Sequence, residues 1–331
     1  MMRPCFFALS ESAALGMEVC RAAGLEPTPL EERRFESGEF KLRPLESVRG
    51  RTAFVFQSLA NTPDAPVADR FVRLLFLLQG LRDVGALRLV AVIPYLAYAR
   101  KDRRTQLRDP VNTRYVAQLI EAAGCDQLVT LDVHNPAALD NAFRIPVDHL
   151  SALPMLAHHF ASLYGREQLV VVSPDVGGVK RAQVFRELLA EHLGREVPLA
   201  FVEKRRAEGV VSGGTLVGMP AGKSVVVMLD DLCATGGTLI RAAEVCRDAG
   251  ATAVHVAVTH APLAEGIAAL RAADAISTVV TTDSVGMRHA PDDGKLVTLS
   301  IAPLLGLAIR RTLDGRPLAP LHRRWPVSDA D

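Results

Sequence analysis

Short apolar runs alternate along the chain with longer segments that have a helical pattern, of which residues 71–81 are apolar on all sides, as in a buried helix. We predict strands at residues 52–57, 87–94, 127–131, 169–172, 199–202, 225–229 and 252–258. We predict helices at residues 71–81 and 112–123 and in a segment that ends at Leu193. Most of the apolar runs lack the regular polar alternation of half-exposed strands, which indicates strands buried on both faces of a parallel sheet. The alternation of strands and helices predicts an α/β fold.

The length of the chain favours two domains. A chain of 331 residues is long enough to bury two separate cores. The alternation of strands and helices starts again after a proline-containing stretch at residues 146–154, and we place the boundary there. The predicted domains are residues 1–148 and 149–331. In both of them polar residues follow the strands, at the edge where open α/β sheets bind ligands.

Composition and charge argue against several classes of function. Hydrophobic residues make up 49% of the chain and charged residues 23%, as in ordinary globular proteins. The formal net charge of +1 gives no electrostatic reason to expect a nucleic acid or a membrane as partner. No apolar stretch reaches the length of a membrane span. The five cysteines have no Cys-x-x-Cys spacing, which favours reduced thiols and a cytoplasmic location.

A predicted strand followed by two acids and a small-residue loop carries the strongest chemical signal. Asp230 and Asp231 come after the run 225–229, and the loop Ala-Thr-Gly-Gly-Thr at 234–238 leads into a helical pattern. Backbone N–H groups at a helix N-terminus bind phosphate. Adjacent carboxylates would repel that phosphate unless they hold sugar hydroxyls or a metal. The stretch therefore predicts a site for a phosphorylated sugar, and the alternative is an ordinary polar turn.

Five further polar clusters are candidates for binding or catalysis, and each has a structural alternative. The alternative for residues 95–104 is a solvated run of charges, and for residues 203–206 a basic surface cluster. The alternative for His134 is a structural histidine, and for Asp175 a helix cap. Residues 35–39, Phe-Glu-Ser-Gly-Glu, fit a plain loop equally well.

Together these clusters resemble the motifs of one enzyme family. The stretch 225–239 is similar to the ribose-phosphate loop that phosphoribosyltransferases share with synthetases of phosphoribosyl pyrophosphate (PRPP). Residues 95–103 resemble the Tyr-x-x-Tyr-Ala-Arg-Gln-Asp-Arg motif of the PRPP synthetases, and Asp132-Val133-His134 resembles their Asp-Leu-His. Lone phosphoribosyltransferases carry neither of these two motifs. Five motifs in family order, between residues 35 and 304, therefore resemble the ribose-phosphate diphosphokinase (PRPP synthetase) family.

The resemblance implies a fold and an activity. It implies two tandem phosphoribosyltransferase-like domains, each with a mainly parallel sheet flanked by helices. The ATP side would lie in residues 1–148 and the ribose-5-phosphate loop in residues 149–331. The family transfers the β,γ-diphosphoryl group of Mg-ATP to the 1-hydroxyl of ribose 5-phosphate, which gives PRPP and AMP. The resemblance further implies Mg²⁺ as cofactor and a homo-oligomer, a dimer or higher.

The resemblance also assigns roles to single residues. It places Lys204 and Arg206 at the transferring group as catalytic residues, and His134 and Asp175 at Mg²⁺. The residues implied to bind ATP are Phe35, Ser37, Gly38, Glu39, Arg100 and Lys101. The residues implied to bind ribose 5-phosphate are Asp230, Asp231, Ala234, Thr235, Gly236, Gly237 and Thr238.

Several positions depart from the family pattern. Ser37 replaces an acid in the adenine-binding turn, Lys101 replaces a glutamine, and Ala234 replaces an acid in the ribose-phosphate loop. In many family members a Ser-Arg-x-Pro-Ile-Ser stretch helps to form an anion site where phosphate activates and ADP inhibits. Leu107 removes a hydroxyl there and Asp109 adds a negative charge, so we expect an enzyme that works without added phosphate.

Two other functions stay open from the sequence. A phosphoribosyltransferase would consume PRPP with a base and would not need ATP. A non-catalytic regulatory homologue would keep the fold and lose charged residues, whereas this chain keeps Lys204, Arg206, Asp230 and Asp231.

Overall fold

The protein is described here from a computed structural model. It describes residues 2–62, 65–165, 167–207, 210–218, 223–286 and 294–325, without the side chains of residues 204–207 and 210–213. By contacts the chain forms two compact units, called here the first unit and the second unit. Residues Met1–Leu150 belong to the first unit and Ser151–Asp283 to the second.

The first unit contains a five-stranded parallel sheet with the order β1-β4-β5-β6-β7. The strands of this unit are β1 Cys5–Ala8, β2 Leu30–Arg34, β3 Phe40–Pro44, β4 Thr52–Phe56, β5 Arg88–Ile93, β6 Gln127–Leu131 and β7 Val147–Leu150. The helices are α1 Ala13–Ala22, α2 Val67–Asp83, α3 Asn112–Ala122 and α4 Pro136–Ala142. β4, β5 and β6 are almost completely buried, as their apolar sequences predict.

β2 and β3 form a separate two-stranded sheet in the first unit. Its two strands pair antiparallel, from Leu30 opposite Pro44 to Arg34 opposite Phe40. The connecting residues 35–39 close the hairpin through hydrogen bonds from Phe35 N to Glu39 O (2.8 Å) and from Gly38 N to Phe35 O (2.9 Å). Gly38 has φ +87°, a conformation that side chains disfavour and glycine permits.

The second unit contains a seven-stranded sheet with the order β10-β9-β8-β11-β12-β13-β14, in which β10 alone among the described strands is antiparallel to its neighbour. The strands are β8 Leu169–Ser173, β9 Leu199–Ala207, β10 Val210–Gly218, β11 Val225–Leu232, β12 Ala253–His260, β13 Thr278–Thr282 and β14 Leu296–Leu299. The helices are α5 Leu153–Leu163, α6 Val179–Leu193, α7 Gly237–Asp248 and α8 Ala264–Ala272.

The strand order of the second sheet reverses between β8 and β11. From β8 the chain adds β9 and β10 on one side, and then adds β11 to β14 on the other. β8 and β11 are parallel neighbours, with Val172 near the carboxyl end of β8 opposite Met228 in the middle of β11. A reversal of this kind leaves a crevice outside the carboxyl ends of the two strands, where open α/β sheets bind ligands.

The last helix of the chain, α9 Ala302–Leu313, belongs to the first unit. It packs on α1, and a β-carbon at Gly306 would lie only 2.5 Å from the β-carbon of Ala22. The glycine therefore allows the two helices to approach closely. The division of the chain in the structure differs from the predicted single boundary after residue 148, because residues Ser300–Leu318 belong to the first unit.

Two strands of the second unit extend further than predicted. β11 continues beyond the predicted end at residue 229 to Leu232, because β12 also continues to His260 and pairs with it. β9 continues beyond the predicted residue 202 to Ala207 and pairs with β10, with Lys204 opposite Gly214. In the described residues β9 and β10 thus form an antiparallel ladder. Valine and threonine in β10 favour this conformation despite its glycines.

Two further findings bear on the predictions from composition. In the described part of the chain, no helix is long and apolar enough to cross a membrane. The five cysteines are buried and form no disulfide.

Candidate active site

The small-residue loop 233–236 joins β11 to the N-terminus of α7. Cys233 N donates to His260 O at 2.8 Å, which fixes the start of the loop to the end of β12. Gly236 is the N-cap of α7 and has φ +78°, in the left-handed region. α7 has 12 residues, so its first N–H groups and its helix dipole create a position that favours an anion. Residues 234–238 therefore lie where a phosphate can bind to backbone donors.

Helix α8 supports this loop from one side at Gly266. A β-carbon at Gly266 would lie 2.2 Å from Ala234 O and 3.1 Å from Cys233 Sγ. Gly266 N donates to Leu263 O, so the glycine lies in the first turn of α8. The backbone of the loop can occupy this position only because residue 266 has no side chain. Gly266 could not be predicted from the sequence, because a single glycine gives no sign of what it contacts in the fold.

The acidic pair lies in the last part of β11, and the expectation that it follows the strand was wrong. Asp231 has a side chain exposed by only 6%, and that of Asp230 is exposed by 25%. Arg181, in the first turn of α6, contacts both, with Nη1 2.8 Å from Asp231 Oδ1 and 3.3 Å from Asp230 Oδ1. The guanidinium offsets part of the negative charge of the two acids. This cation was also missed from the sequence, since 49 residues separate Arg181 from Asp230.

The pKa of Asp230 in the pair Asp230–Asp231 is shifted mainly by burial. Burial, followed by the neighbouring Asp231 carboxyl, raises the pKa of Asp230 to about 7, although Arg181 acts in the opposite direction. The shift means that the ionised pair is costly in this site without a further partner. Sugar hydroxyls or a cation would supply such a partner. The arrangement therefore favours a polar or cationic ligand group beside the acids.

Asp175 lies at the neighbouring strand end, in the turn between β8 and α6. Its Oδ1 accepts a hydrogen bond from Gly178 N at 3.2 Å and so caps the short helical turn Val176–Gly178. A β-carbon at Gly178 would lie 2.7 Å from Ser173 Oγ, so the glycine permits this tight turn. The predicted helix-cap role is therefore real. It also holds the Asp175 carboxyl at the carboxyl end of β8, next to the end of β11.

On the first unit, the turn of the β2–β3 hairpin carries four residues that the resemblance assigns to ATP. The ring of Phe35 is 39% exposed, and the Arg33 guanidinium lies 4.9 Å from its centroid. Ser37 Oγ donates to Glu39 Oε2 at 2.8 Å, which orients the Glu39 carboxylate within the turn. The turn thus presents an exposed aromatic face and an oriented carboxylate, and Gly38 allows its shape. An aromatic face of this kind suits a planar base.

A buried ion cluster anchors this hairpin to the body of the first unit. Arg73 of α2 has a side chain exposed by 5% and contacts Glu32 of β2 and Glu11, the latter at 2.9 Å from Nε. Glu32 also accepts hydrogen bonds from Ser10 N and Oγ, both at 3.0 Å. Buried ions of this kind stabilise a structure only when they are mutually paired. The cluster therefore fixes the base of the hairpin that presents the turn 35–39.

The segment after β5 carries Arg100 and Lys101. Tyr98 has φ +63°, an uncommon value for a residue with a side chain, and its ring lies 6.5 Å from that of Phe71. Arg100 is exposed, whereas Lys101 is partly buried and forms an ion pair with Asp109. Asn135 Nδ2 donates to Asp102 Oδ2 at 2.6 Å. The segment after β5 is thereby joined to the loop after β6.

His134 lies in that loop after β6, beside the segment that carries Arg100. Asp132, at the start of the loop, has φ +38°, and Val133 N donates to His149 Nε2 at 3.0 Å. Asn135 caps α4 by accepting from Ala138 N at 3.2 Å. Both neighbours of His134 are thus held in place, which fixes the position of the histidine backbone. β5 and β6 are parallel neighbours, so the two loops leave the same edge of the sheet.

The two predicted catalytic cations lie on β9. The backbone of Lys204 and Arg206 belongs to the β9–β10 ladder, and the side chains of both residues lie outside the described part of the protein. In each unit the structure brings predicted residues together at strand ends. In the first unit these are Arg100, Lys101 and His134, and in the second they are Asp175, Asp230, Asp231 and residues 234–238.

The fold and the two sites define an α/β protein of phosphoribosyltransferase type with an additional N-terminal domain. Residues 5–124 match the family model described as the N-terminal domain of ribose phosphate pyrophosphokinase. Residues 154–288 match the model described as the phosphoribosyl transferase domain.

Relatives that match over nearly their whole length identify the family of the chain more closely. A ribose-phosphate pyrophosphokinase of Listeria ivanovii is 35% identical over 95% of this chain and 96% of its own length. One from Caldanaerobacter subterraneus subsp. tengcongensis is 36% identical with the same two coverages. The crystal structure of phosphoribosylpyrophosphate synthetase from Mycobacterium smegmatis has a TM-score of 0.84 at 33% identity, and the match covers 95% of this chain and 99% of that one. The chain belongs to the ribose-phosphate pyrophosphokinase family of enzymes, and the predicted family and fold class are confirmed.

Proposed function

We propose that this enzyme transfers the β,γ-diphosphoryl group of Mg-ATP to the 1-hydroxyl of ribose 5-phosphate, giving PRPP and AMP. One observation supports this most: the match to the pyrophosphokinase N-terminal domain over residues 5–124 lies in the same chain as the phosphoribosyl transferase domain. A transferase that only consumed PRPP would have no use for that first domain. Both domains carry candidate ligand-binding residues at the carboxyl ends of parallel strands.

In the proposed complex, ribose 5-phosphate binds to the second unit. Its phosphate lies on the backbone donors of residues 234–238 and the hydroxyls of Thr235 and Thr238, at the N-terminus of α7. Its ring hydroxyls donate to the carboxylates of Asp230 and Asp231, which Arg181 also contacts. Ala234 leaves this arrangement intact, because the phosphate is bound by backbone groups.

ATP binds to the first unit in the same proposal. The adenine packs against the exposed ring of Phe35, and Ser37, Gly38 and Glu39 of the turn contact its polar edge. Arg100 and Lys101 supply positive charge for the phosphate oxygens. An arginine can bind two such oxygens in a planar, bidentate contact, whereas a lysine acts as a compact point charge.

The chemical step needs positive charge at the transferring group. A phosphoryl transition state spreads negative charge over its equatorial oxygens, and catalysis consists mainly of positioning and of matching donors. Lys204 and Arg206 are the proposed donors. The backbone of both residues belongs to β9.

Mg²⁺ is the proposed cofactor, and His134 of the first unit and Asp175 of the second are each proposed as a protein ligand. A carboxylate oxygen is the ligand type that Mg²⁺ prefers, and Mg²⁺ commonly takes one or two protein groups together with phosphates and waters. When bound, Mg²⁺ would neutralise charge on the ATP phosphates.

We also propose that the enzyme is a homo-oligomer in the cytoplasm. α2 exposes Val72 by 39% and Phe76 by 62%, one turn apart on the same face. α3 exposes Tyr115 by 48% and Leu119 by 49% with the same spacing. Exposed apolar pairs of this kind are typical of surfaces that bind another protein chain. The buried, reduced cysteines fit a reducing compartment.

The proposed activity can be tested directly. The protein is incubated with Mg-ATP and ribose 5-phosphate, and AMP and PRPP are measured by chromatography. We expect both products in equal amounts, and no AMP without ribose 5-phosphate. Arg181→Met serves as the negative comparison, because it leaves the two buried acids without their cation. Consumption of PRPP with a purine or pyrimidine base, without a need for ATP, would instead identify a phosphoribosyltransferase. Absence of both reactions would identify a non-catalytic homologue.

A further inference from the structure

One carboxylate oxygen of Asp109 collects four hydrogen-bond donors. Asp109 Oδ2 accepts from Thr105 N at 3.0 Å, from Thr105 Oγ1 at 2.7 Å and from Gln106 N at 3.0 Å. The fourth donor is the ammonium of Lys101, with which Asp109 forms an ion pair. These donors lower the pKa of Asp109, with Lys101 contributing most. The carboxylate therefore stays ionised throughout the pH range in which enzymes work.

Both the backbone carbonyl and the side-chain ammonium of Lys101 are held by hydrogen bonds. Its carbonyl oxygen accepts from Thr113 N at 3.3 Å and from Thr113 Oγ1 at 3.4 Å. Its ammonium contacts Asp109 and also donates to Thr105 Oγ1 at 3.1 Å. The next residue, Asp102, is joined to Asn135 at 2.6 Å. The backbone and the side chain of Lys101 are thus fixed by separate contacts.

This arrangement orders the Lys101 side chain before a ligand binds, so the loss of side-chain entropy no longer opposes binding. A lysine side chain has four rotatable bonds and loses about 2 kcal/mol of rotamer entropy when it is ordered. An ammonium has three donor hydrogens, and the contacts with Asp109 and Thr105 use two of them. One donor is left for a ligand, and its direction is set by the other two. Ordering before binding increases affinity, because the entropy is already lost.

We propose that Asp109 is a positioning residue that holds the Lys101 ammonium toward the phosphates of the bound nucleotide. The proposal rests on the assignment of ATP to the first unit and goes beyond it, since it gives a role to a residue outside the nucleotide motif. Asp109 does not touch the nucleotide; it acts through Lys101. It also explains how a lysine can stand at a position where the family has a shorter, neutral glutamine.

The test is a double-mutant cycle of Asp109→Asn and Lys101→Met in the full-length protein. Asp109→Asn keeps the shape and removes the charge, so the KM for ATP should rise about tenfold while kcat changes by less than about twofold. The KM for ribose 5-phosphate should stay unchanged. Lys101→Met should have a similar effect on the KM for ATP. In the double variant the second substitution should raise the KM for ATP by less than a further factor of about two, because both substitutions remove the same Lys101–Asp109 contact.

Two further variants separate positioning from a general structural role. Asp109→Glu keeps the charge and should recover most of the affinity for ATP. Asp126→Asn is the matched control, because Asp126 also binds an arginine, Arg82, and a backbone N–H, Leu89 N at 2.7 Å, away from this segment. It should leave both KM values unchanged. Urea unfolding of each variant measures the stability separately, and Lys101→Met keeps the test valid if Asp109→Asn is poorly folded.

Several results would overturn the proposal. It is wrong if Asp109→Asn leaves the KM for ATP within about twofold of the wild type, or lowers it, since a lower KM would mean that Asp109 withholds Lys101 from the nucleotide. It is also wrong if the effects of the two substitutions multiply in the double variant. Calorimetric binding of Mg-ATP without ribose 5-phosphate gives the same comparison independently of turnover. Failure of the proposed reaction would therefore be distinguished from failure of this inference.

Discussion

The contact between Gly266 and the ribose-phosphate loop allows a quantitative prediction for Gly266→Ala. The added β-carbon would lie 2.2 Å from Ala234 O and 2.9 Å from Ala234 C. Non-bonded carbon and oxygen atoms normally keep about 3.3 Å apart, so α8 and the loop must separate by roughly 1 Å. Because Ala234 O and Ala234 C are backbone atoms, a side-chain rotation cannot relieve the overlap.

The expected effect follows from this displacement. Overpacking of this kind costs about 1–3 kcal/mol of unfolding free energy. A shift of about 1 Å in groups that position a substrate can lower the rate by up to about a hundredfold. We expect kcat/KM for ribose 5-phosphate to fall by roughly ten- to a hundredfold. The KM for ATP should change by less than about threefold, because the ATP residues are assigned to the first unit.

The assay is steady-state kinetics with each substrate varied in turn, together with urea unfolding. Gly80→Ala is the matched control, since Gly80 also lies within a helix, α2, and a β-carbon there would meet nothing within 4 Å. This control should raise the unfolding free energy by about 1 kcal/mol and leave the kinetics unchanged. The reasoning is refuted if Gly266→Ala keeps kcat/KM for ribose 5-phosphate within about twofold, or if both substrates are affected equally.

Four other predictions follow from the proposed function and from the structure. Lys204→Ala should lower kcat by about a hundred- to a thousandfold with a smaller change in KM; a variant that retains more than about half of the wild-type kcat in steady-state assays would contradict the role. Ala234→Asp should change the KM for ribose 5-phosphate without abolishing turnover, and complete loss of activity would show that the loop does not use backbone donors. Leu107 removes a hydroxyl, and Asp109 is already ionised and paired. Phosphate titrated at fixed free magnesium should therefore not raise the initial rate, and ADP should compete with ATP. Strong phosphate dependence of the rate would contradict this prediction. Burial lowers the pKa of His255 to about 4 from 6.5, so the folded protein holds it neutral while the unfolded chain takes up a proton, and stability should fall as the pH decreases from 6.5 towards 4. Urea unfolding between pH 7 and pH 4.5 should show this slope, and His255→Gln should reduce it.

The fold could be predicted from the sequence wherever apolar content alone decides burial. The strand predicted at 127–131 has the same bounds in the structure, where it is buried along its whole length and pairs with β5 on one side and β7 on the other. The end of β11 was placed too early, since aspartate is rare in strands and Asp230 and Asp231 look like the start of a loop. The pairing of Leu232 with His260 in β12 overrides that local preference. This pairing joins segments far apart in sequence, so no local pattern reveals it.

The candidate site could be predicted only where a motif is continuous in sequence. Residues 35–39 and 234–238 are short runs of this kind, and their roles stay predictions. Arg181 and Gly266 contribute through contacts with residues that are distant in the chain, with Asp231 and Ala234 respectively. Asp109 was read as a negative charge that would repel anions, whereas the structure shows it paired with Lys101. In each case the missing information is the partner, which depends on the tertiary fold.

The return of α9 to the first unit has a consequence for how the chain is made. The contact of Gly306 with Ala22 and Ala23 brings together two segments that are almost 300 residues apart in the chain. A ribosome completes residues 1–150 long before it reaches α9, at roughly 5–20 residues per second, so this delay is on the order of ten seconds. During that time the surface of α1 that α9 will cover has no partner from its own chain. Nascent first units on one messenger RNA are therefore exposed to each other and to chaperones until the last helix leaves the ribosome.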